Sequence, residues 1–223
     1  MSAILFGSLS TIADTSELQR NAFNAAFDAH GLGWRWERDD YLAMLERSGG
    51  AQRIAEYARS RGQDVDAAAV HATKSEMFQK SLPSSGVQPR RGVVETIQGA
   101  KDAGLKVALV TTTSPENIAA LTEALAPQLR ASDFDLVVDA TDVDKDKGKP
   151  DPAAYSFALV RLGEQAGACV AVEDNVPGVQ AATSASIACV AFPNQNTAGH
   201  DFHEARGRLD RLDLAELTTY LVG

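Results

Sequence analysis

The chain has 223 residues, 44% of them hydrophobic and 23% charged, with a net charge of −9. That length buries a full core, and the acidic balance argues against nucleic acid, whose phosphate backbone needs a basic surface. Two cysteines, no signal-like segment and no apolar run near the ~20 residues of a bilayer span point to a reducing cytoplasm and away from membranes.

The first run, Ala3 to Phe6, reads as a buried strand entering a small-residue turn, Gly7-Ser8-Leu9-Ser10-Thr11-Ile12. Asp14 and Glu17 have capping-box spacing, and Leu18, Ala22, Ala25, Ala26 and Ala29 keep a helical period up to Gly31. From there to about Gly86 only helical signals occur, Asp39 to Glu46, Gln52 to Arg61 and Val65 to Lys80, and Trp34 and Trp36 read as core of that helical unit. Residues 15–87 are therefore expected to form a helical cap inserted into an α/β core of residues 1–14 and 88–223.

Beyond Pro89, helices and apolar runs alternate. Helices are expected at Val93–Ala103, Ser114–Leu125, Asp151–Gly163, from about Pro177, and after a cap at Asp213. Strands are expected at Lys106–Val110, Phe134–Val138, Cys169–Val172 and Ala188–Phe192. Alternation of this kind implies a parallel sheet with helices on both faces, and ligands in such sheets sit beyond the carboxyl ends of the strands.

Those ends carry candidate chemistry. Thr111, Thr112, Thr113 and Ser114 put hydroxyls and N–H groups at a helix start, which suits an anion but also describes an ordinary helix cap. Gly148-Lys149-Pro150 stiffens a turn around one ammonium, and Glu173-Asp174 places two acids at a strand tip, the chemistry of a Mg²⁺ site or of a helix cap. Hydroxyl, lysine and acid pair together describe a phosphate beside a metal. His200 and His203 flank Asp201 but lack a third ligand in sequence.

With these stretches in hand, Phe6 to Glu17, Arg20 to Phe27, Val110 to Asn117, Gly148-Lys149-Pro150 and Val172 to Asn175, the chain resembles the haloacid dehalogenase superfamily. Within it the chain is similar to the capped β-phosphoglucomutase branch and to the CbbY-like sugar-bisphosphate phosphatases. The resemblance implies a three-layer Rossmann-like core with parallel sheet and helical cap. It implies Thr111 and Thr112 at a phosphate, Lys149 neutralising it, Glu173 and Asp174 holding Mg²⁺, Arg53 at the far end of a sugar phosphate, and hydrolysis of a phosphoric monoester. It also implies aspartates where Gly7 and Leu9 stand, as nucleophile and general acid/base. Without them the aspartyl-phosphate route and one metal carboxylate are lost, only the Leu9 carbonyl remains from this loop as a metal donor, and the chain is expected to be inactive or strongly impaired. The alternative is a non-catalytic binder of a phosphorylated metabolite, acting as a sensor or partner protein. Ser8 and Ser10 flank the vacant position, but a serine needs a base, no histidine is near in sequence, and Asp14 is expected at the helix cap.

Overall fold

The computed structural model describes residues 2–45, 49–144 and 146–221. Strands β1 (Ala3–Phe6), β2 (Lys106–Val110), β3 (Leu136–Val138), β4 (Cys169–Glu173), β5 (Ala188–Ala191) and β6 (Gly207–Arg208) form one sheet in the order β3-β2-β1-β4-β5-β6. Every pairing is parallel. Successive side chains alternate between two cores. Ile4, Phe6, Val107, Leu109, Val170 and Val172 enter one, while Ala3, Leu5, Ala108, Val110 and Ala171 enter the other. Burial on both faces is why these strands read as unbroken apolar runs.

Helices are α1 (Leu9–Ile12), α2 (Ser16–Ala29), α3 (Arg38–Met44), α4 (Gly50–Ser60), α5 (Ala67–Ser81), α6 (Val93–Asp102), α7 (Pro115–Leu125), α8 (Ala153–Leu162), α9 (Val176–Ser184) and α10 (Leu214–Thr218). Strand β6 was not expected, since two residues carry no periodicity. Phe134, expected at the start of the third strand, lies outside β3, and its ring meets Phe6 edge-on at 6.2 Å. Helix α3 ends before Glu46, which falls outside the described residues.

The turn expected after β1 is instead the single helical turn α1. Ser8 caps it, accepting from Thr11 N–H at 3.1 Å while Thr11 reciprocates. The N-cap of α2 is Thr15, not Asp14; Asp14 Oδ1 sits one residue earlier and accepts from Ser16 N–H at 3.1 Å.

Residues of the second to fifth helices and of the segment joining α2 to α3 build a separate aromatic core. Phe23, Phe27, Trp34, Trp36 and Tyr41 are buried there, with Trp36 ring centroids 4.7 Å from Phe27 and 4.8 Å from Phe23. The tryptophans are core, and truncating Trp36 costs about 3–5 kcal/mol. The chain passes between the two cores at two adjacent points, tied by the Ala13–Pro89 bridge and by Arg90 N–H donating to Ile12 O at 2.8 Å. The Arg90 guanidinium donates to Ser10 O, Phe192 O and Pro193 O at 2.9, 2.8 and 2.6 Å, pinning α1 to the end of β5. Cys169 and Cys189 are buried free thiols. No helix among the described residues is long and apolar enough to cross a membrane.

Candidate active site

The carboxyl ends of β1, β2 and β4 open into a cavity of about 1050 Å³ roofed by α2, α3, α4 and α5. The core contributes Gly7, Ser8, Thr111, Thr112, Lys149 and Asp174 to its wall, and the roof contributes Gln19, Tyr41, Arg53 and His71. Six of the eight residues singled out from sequence thus share one cavity. Leu9 and Glu173 do not: the Leu9 side chain packs in the core, and Glu173 is fully buried.

Glu173 lies in the space a side chain at position 7 requires. A Cβ placed on Gly7 would overlap the Glu173 carboxylate and stand 2.5 Å from Tyr155 Oη; a Cβ on Gly178 would overlap the same carboxylate from the other side. The two glycines make a slot and Glu173 fills it. Lys149 Nζ holds it there at 2.6 Å, and Tyr155 Oη donates to the same oxygen at 2.8 Å. Lys149 spends its other donors on Val110 O, at 2.9 Å, and Gly7 O. Burial pushes the Glu173 carboxyl upward against the pull of Lys149, and its Oε2 has no hydrogen-bond partner. Lys149 therefore serves an internal pair, with its three protons already placed.

Asp174 emerges one residue later. Its Oδ1 accepts from Ser8 Oγ at 2.6 Å and Asn175 Nδ2 at 2.8 Å, and its Oδ2 from Asn194 Nδ2 at 2.9 Å. Asn194 is set by the 194–197 turn, where its Oδ1 accepts from the Asn196 and Thr197 amides at 2.8 and 3.1 Å. Asn196 continues outward, accepting from Arg38 Nη2 at 3.0 Å and donating to Glu17 at 2.9 Å.

This donor set does not fit the Mg²⁺ that the fold implies. A hard dication wants several oxygens and more than one carboxylate. Here Glu173 is turned away, both Asp174 oxygens are taken, and the Leu9 carbonyl accepts the Ala13 N–H at 3.0 Å. Among the described residues no three His, Cys, Asp or Glu side chains gather as a metal site. His203 pairs with Asp201 at 3.2 Å on the exposed surface.

At the β2 end, Thr111 Oγ1 accepts from Thr113 N–H at 3.3 Å, and Ser114 caps α7 by accepting from Asn117 N–H. In the roof, Arg53 stands over the Tyr41 ring at 5.6 Å and donates to Met44 O at 3.2 Å. Behind it α5 carries His71 and Lys74. Burial, then repulsion from Lys74 and Arg53, lowers His71 to about 4; burial, then Arg53, lowers Lys74 to about 7. Lys74 donates to Gln19 Oε1.

Sequence reasoning missed Tyr155, His71, Lys74 and Asn194. An i, i+3 pair of bases on α5 was a visible signal for two of them. Tyr155 and Asn194 matter only through contacts that no spacing encodes.

A parallel sheet with a strand-end cavity under a helical roof defines a capped α/β protein. The haloacid dehalogenase-like hydrolase family matches residues 1–186. Protein CbbY of Rhodobacter capsulatus is 34% identical over 218 residues, 96% of this chain and 95% of that one, and protein CbbY of Cereibacter sphaeroides is 36% identical over 93% and 91%. The crystal structure of CbbY from Rhodobacter sphaeroides in complex with phosphate superposes with a TM-score of 0.88 at 34% identity, covering 99% of each chain. A mutant of that protein was solved with xylulose-1,5-bisphosphate, with the same score and coverage. The chain belongs to the haloacid dehalogenase-like hydrolases, in their CbbY-like branch.

Proposed function

We propose that the cleft binds a phosphorylated small molecule, of the sugar-phosphate kind that the CbbY relatives suggest, and does not turn it over through an aspartyl phosphate. One observation carries this reading: the place of a nucleophile at residue 7 is closed by Glu173, which Lys149 and Tyr155 hold in position. A reaction whose nucleophile is missing keeps only what binding and electrostatics supply.

Binding is supported by the roof. Lys74 is 5% exposed, its ammonium sits 4.9 Å from the Phe23 ring and 5.4 Å from that of Phe78, and its hydrogen-bond acceptor is an amide oxygen. A phosphate dianion arriving at Gln19 and Arg53 in the cavity wall meets the Arg53 guanidinium directly, with Lys74 behind Gln19. Thr111 and Thr112 serve the other end of the ligand. The protein then acts as a sensor or partner controlled by metabolite level.

Calorimetric titration with sugar mono- and bisphosphates is expected to give saturable binding without Mg²⁺. Arg53→Ala and Thr111→Ala are each expected to weaken it about tenfold, ~1.4 kcal/mol. Absence of binding to any phosphorylated sugar would remove this reading.

The Lys74 shift also sets a pH dependence. Its folded pKa, about 7, lies below the ordinary lysine value near 10.4. Between those limits the unfolded chain holds one more proton, so stability rises with pH through that window, while below about 7 both states are protonated and this contribution no longer changes. Lys74→Met is expected to raise the melting temperature at pH 7 and flatten its rise toward pH 9.5 in thermal melts followed by circular dichroism. A melting temperature unchanged or lowered at pH 7 would contradict it.

A further inference from the structure

The hydroxyl next in sequence to the closed nucleophile position, that of Ser8, is paired with a base. Ser8 has no histidine near it in sequence, but the fold brings Asp174 from the tip of β4, 166 positions away, to 2.6 Å from its Oγ. A carboxylate only accepts, so the Ser8 proton points at Asp174 Oδ1. Asn194 and Asn175 fix that carboxylate from two further sides, at 2.9 and 2.8 Å. Nucleophile, base and a group orienting the base are thus in hydrogen-bonding contact, the arrangement that activates a serine. One Oγ lone pair takes the Thr11 N–H, one remains, and Ser8 lies in the cavity wall with Thr111 and Thr112.

We propose that Ser8 accepts a phosphoryl group from small acyl phosphates and keeps it as phosphoserine. The inference rests on the reading of the cleft as a phosphate site. The donor class follows from Leu9. An alkoxide leaving from a sugar phosphate needs a proton at the moment of cleavage, and the position that resemblance gives to the general acid carries a hydrocarbon buried in the core. A carboxylate needs none, because its conjugate acid ionises near pH 4.

In the step, Ser8 Oγ forms a bond to phosphorus while the bond from phosphorus to the acyl oxygen breaks. That electron pair departs with the carboxylate, and the Ser8 proton passes to Asp174 Oδ1 and on to solvent. The product is an ester of an alcohol rather than a mixed anhydride, so it persists. The cleft is marked once, not turned over, in keeping with the proposed sensor role.

The test incubates the full chain with acetyl phosphate and reads intact mass, with tandem mass spectrometry to place the label. The expected result is a gain of one phosphoryl group per chain, mapped to Ser8 and stable to hydroxylamine, which cleaves an acyl phosphate. Ser8→Ala abolishes the label, Asp174→Asn slows it about a hundredfold or more, and Ser10→Ala labels like the wild type. Because the label is mapped on the unaltered protein, the outcome does not depend on how Ser8→Ala folds. Binding of inorganic phosphate with no mass gain, or a label on another residue, overturns the assignment to Ser8 and leaves the binding reading standing. Loss of both binding and label overturns both, and labelling of Ser8 by a sugar phosphate overturns the donor class.

Discussion

Assayed with Mg²⁺ against a panel of sugar phosphates, the protein is expected to release no phosphate above background, and restoring the two missing aspartates is expected not to be enough. The reason is steric. Any side chain at residue 7 meets the Glu173 carboxylate and Tyr155 Oη, and Glu173 cannot leave without breaking its contacts to Lys149 and Tyr155. Gly7→Asp with Leu9→Asp is therefore expected to fold with a lowered melting temperature and show at most trace turnover. Adding Tyr155→Phe removes one of the two groups in the way and one of the two that hold Glu173. That triple variant is expected to exceed the double by about tenfold or more in phosphate release, a difference of ~1.4 kcal/mol in activation free energy. Equal rates in the two variants would show that Glu173 yields freely. Robust turnover by the unaltered protein, abolished by Asp174→Ala, would sink the larger claim.

The second large effect concerns stability. Lys149→Met leaves Glu173 fully buried without its charged partner, and strips a donor from Gly7 O and Val110 O. Breaking a buried pair from one side costs roughly 3–5 kcal/mol. For a chain of this size each kcal/mol moves the melting temperature by about 2–4 °C, so a fall on the order of 10 °C is expected. Removing both charges, Lys149→Met with Glu173→Met, is expected to recover most of that loss, since an apolar pair of similar volume carries no desolvation penalty. The sign with pH follows from Glu173, whose folded pKa is raised chiefly by burial. A raised carboxyl binds its proton more tightly folded than unfolded, so its contribution is present below about pH 4 and lost as pH rises through the folded value. Without Lys149 this slope steepens. The Lys149→Met variant should melt higher at pH 5 than at pH 8, and the reverse order would show that the charge on Glu173 is compensated elsewhere.

Much of the architecture was readable because its causes are local. The runs at Ala3, Lys106, Cys169 and Ala188 are apolar without alternation because parallel strands are buried on both faces. Asp213, Ser114 and Pro115 announce their helices through capping. Turn α1 was not readable, since a four-residue helix shows no period and depends on a reciprocal bond between Ser8 and Thr11. At the site, the residue types at strand ends identified the cavity wall at Thr111, Thr112, Lys149 and Asp174. Their allegiances could not be read. Whether Glu173 faces a metal or fills the Gly7 slot is decided by Tyr155 and Gly178, and whether Ser8 has a base is decided by the register that sets β1 beside β4. Sequence names the groups at the end of a strand, and packing decides which of them is already engaged.

The run of hydrogen bonds from Asp174 through Asn194 and Asn196 to Arg38 and Glu17 starts in the sheet and ends in the roof. The orientation of that carboxylate and the placement of Arg38 and Glu17 in the roof are therefore joined by direct contacts. If a group bound around Arg38 changes the affinity for a ligand at Asp174, that ligand changes the affinity at Arg38 by the same factor.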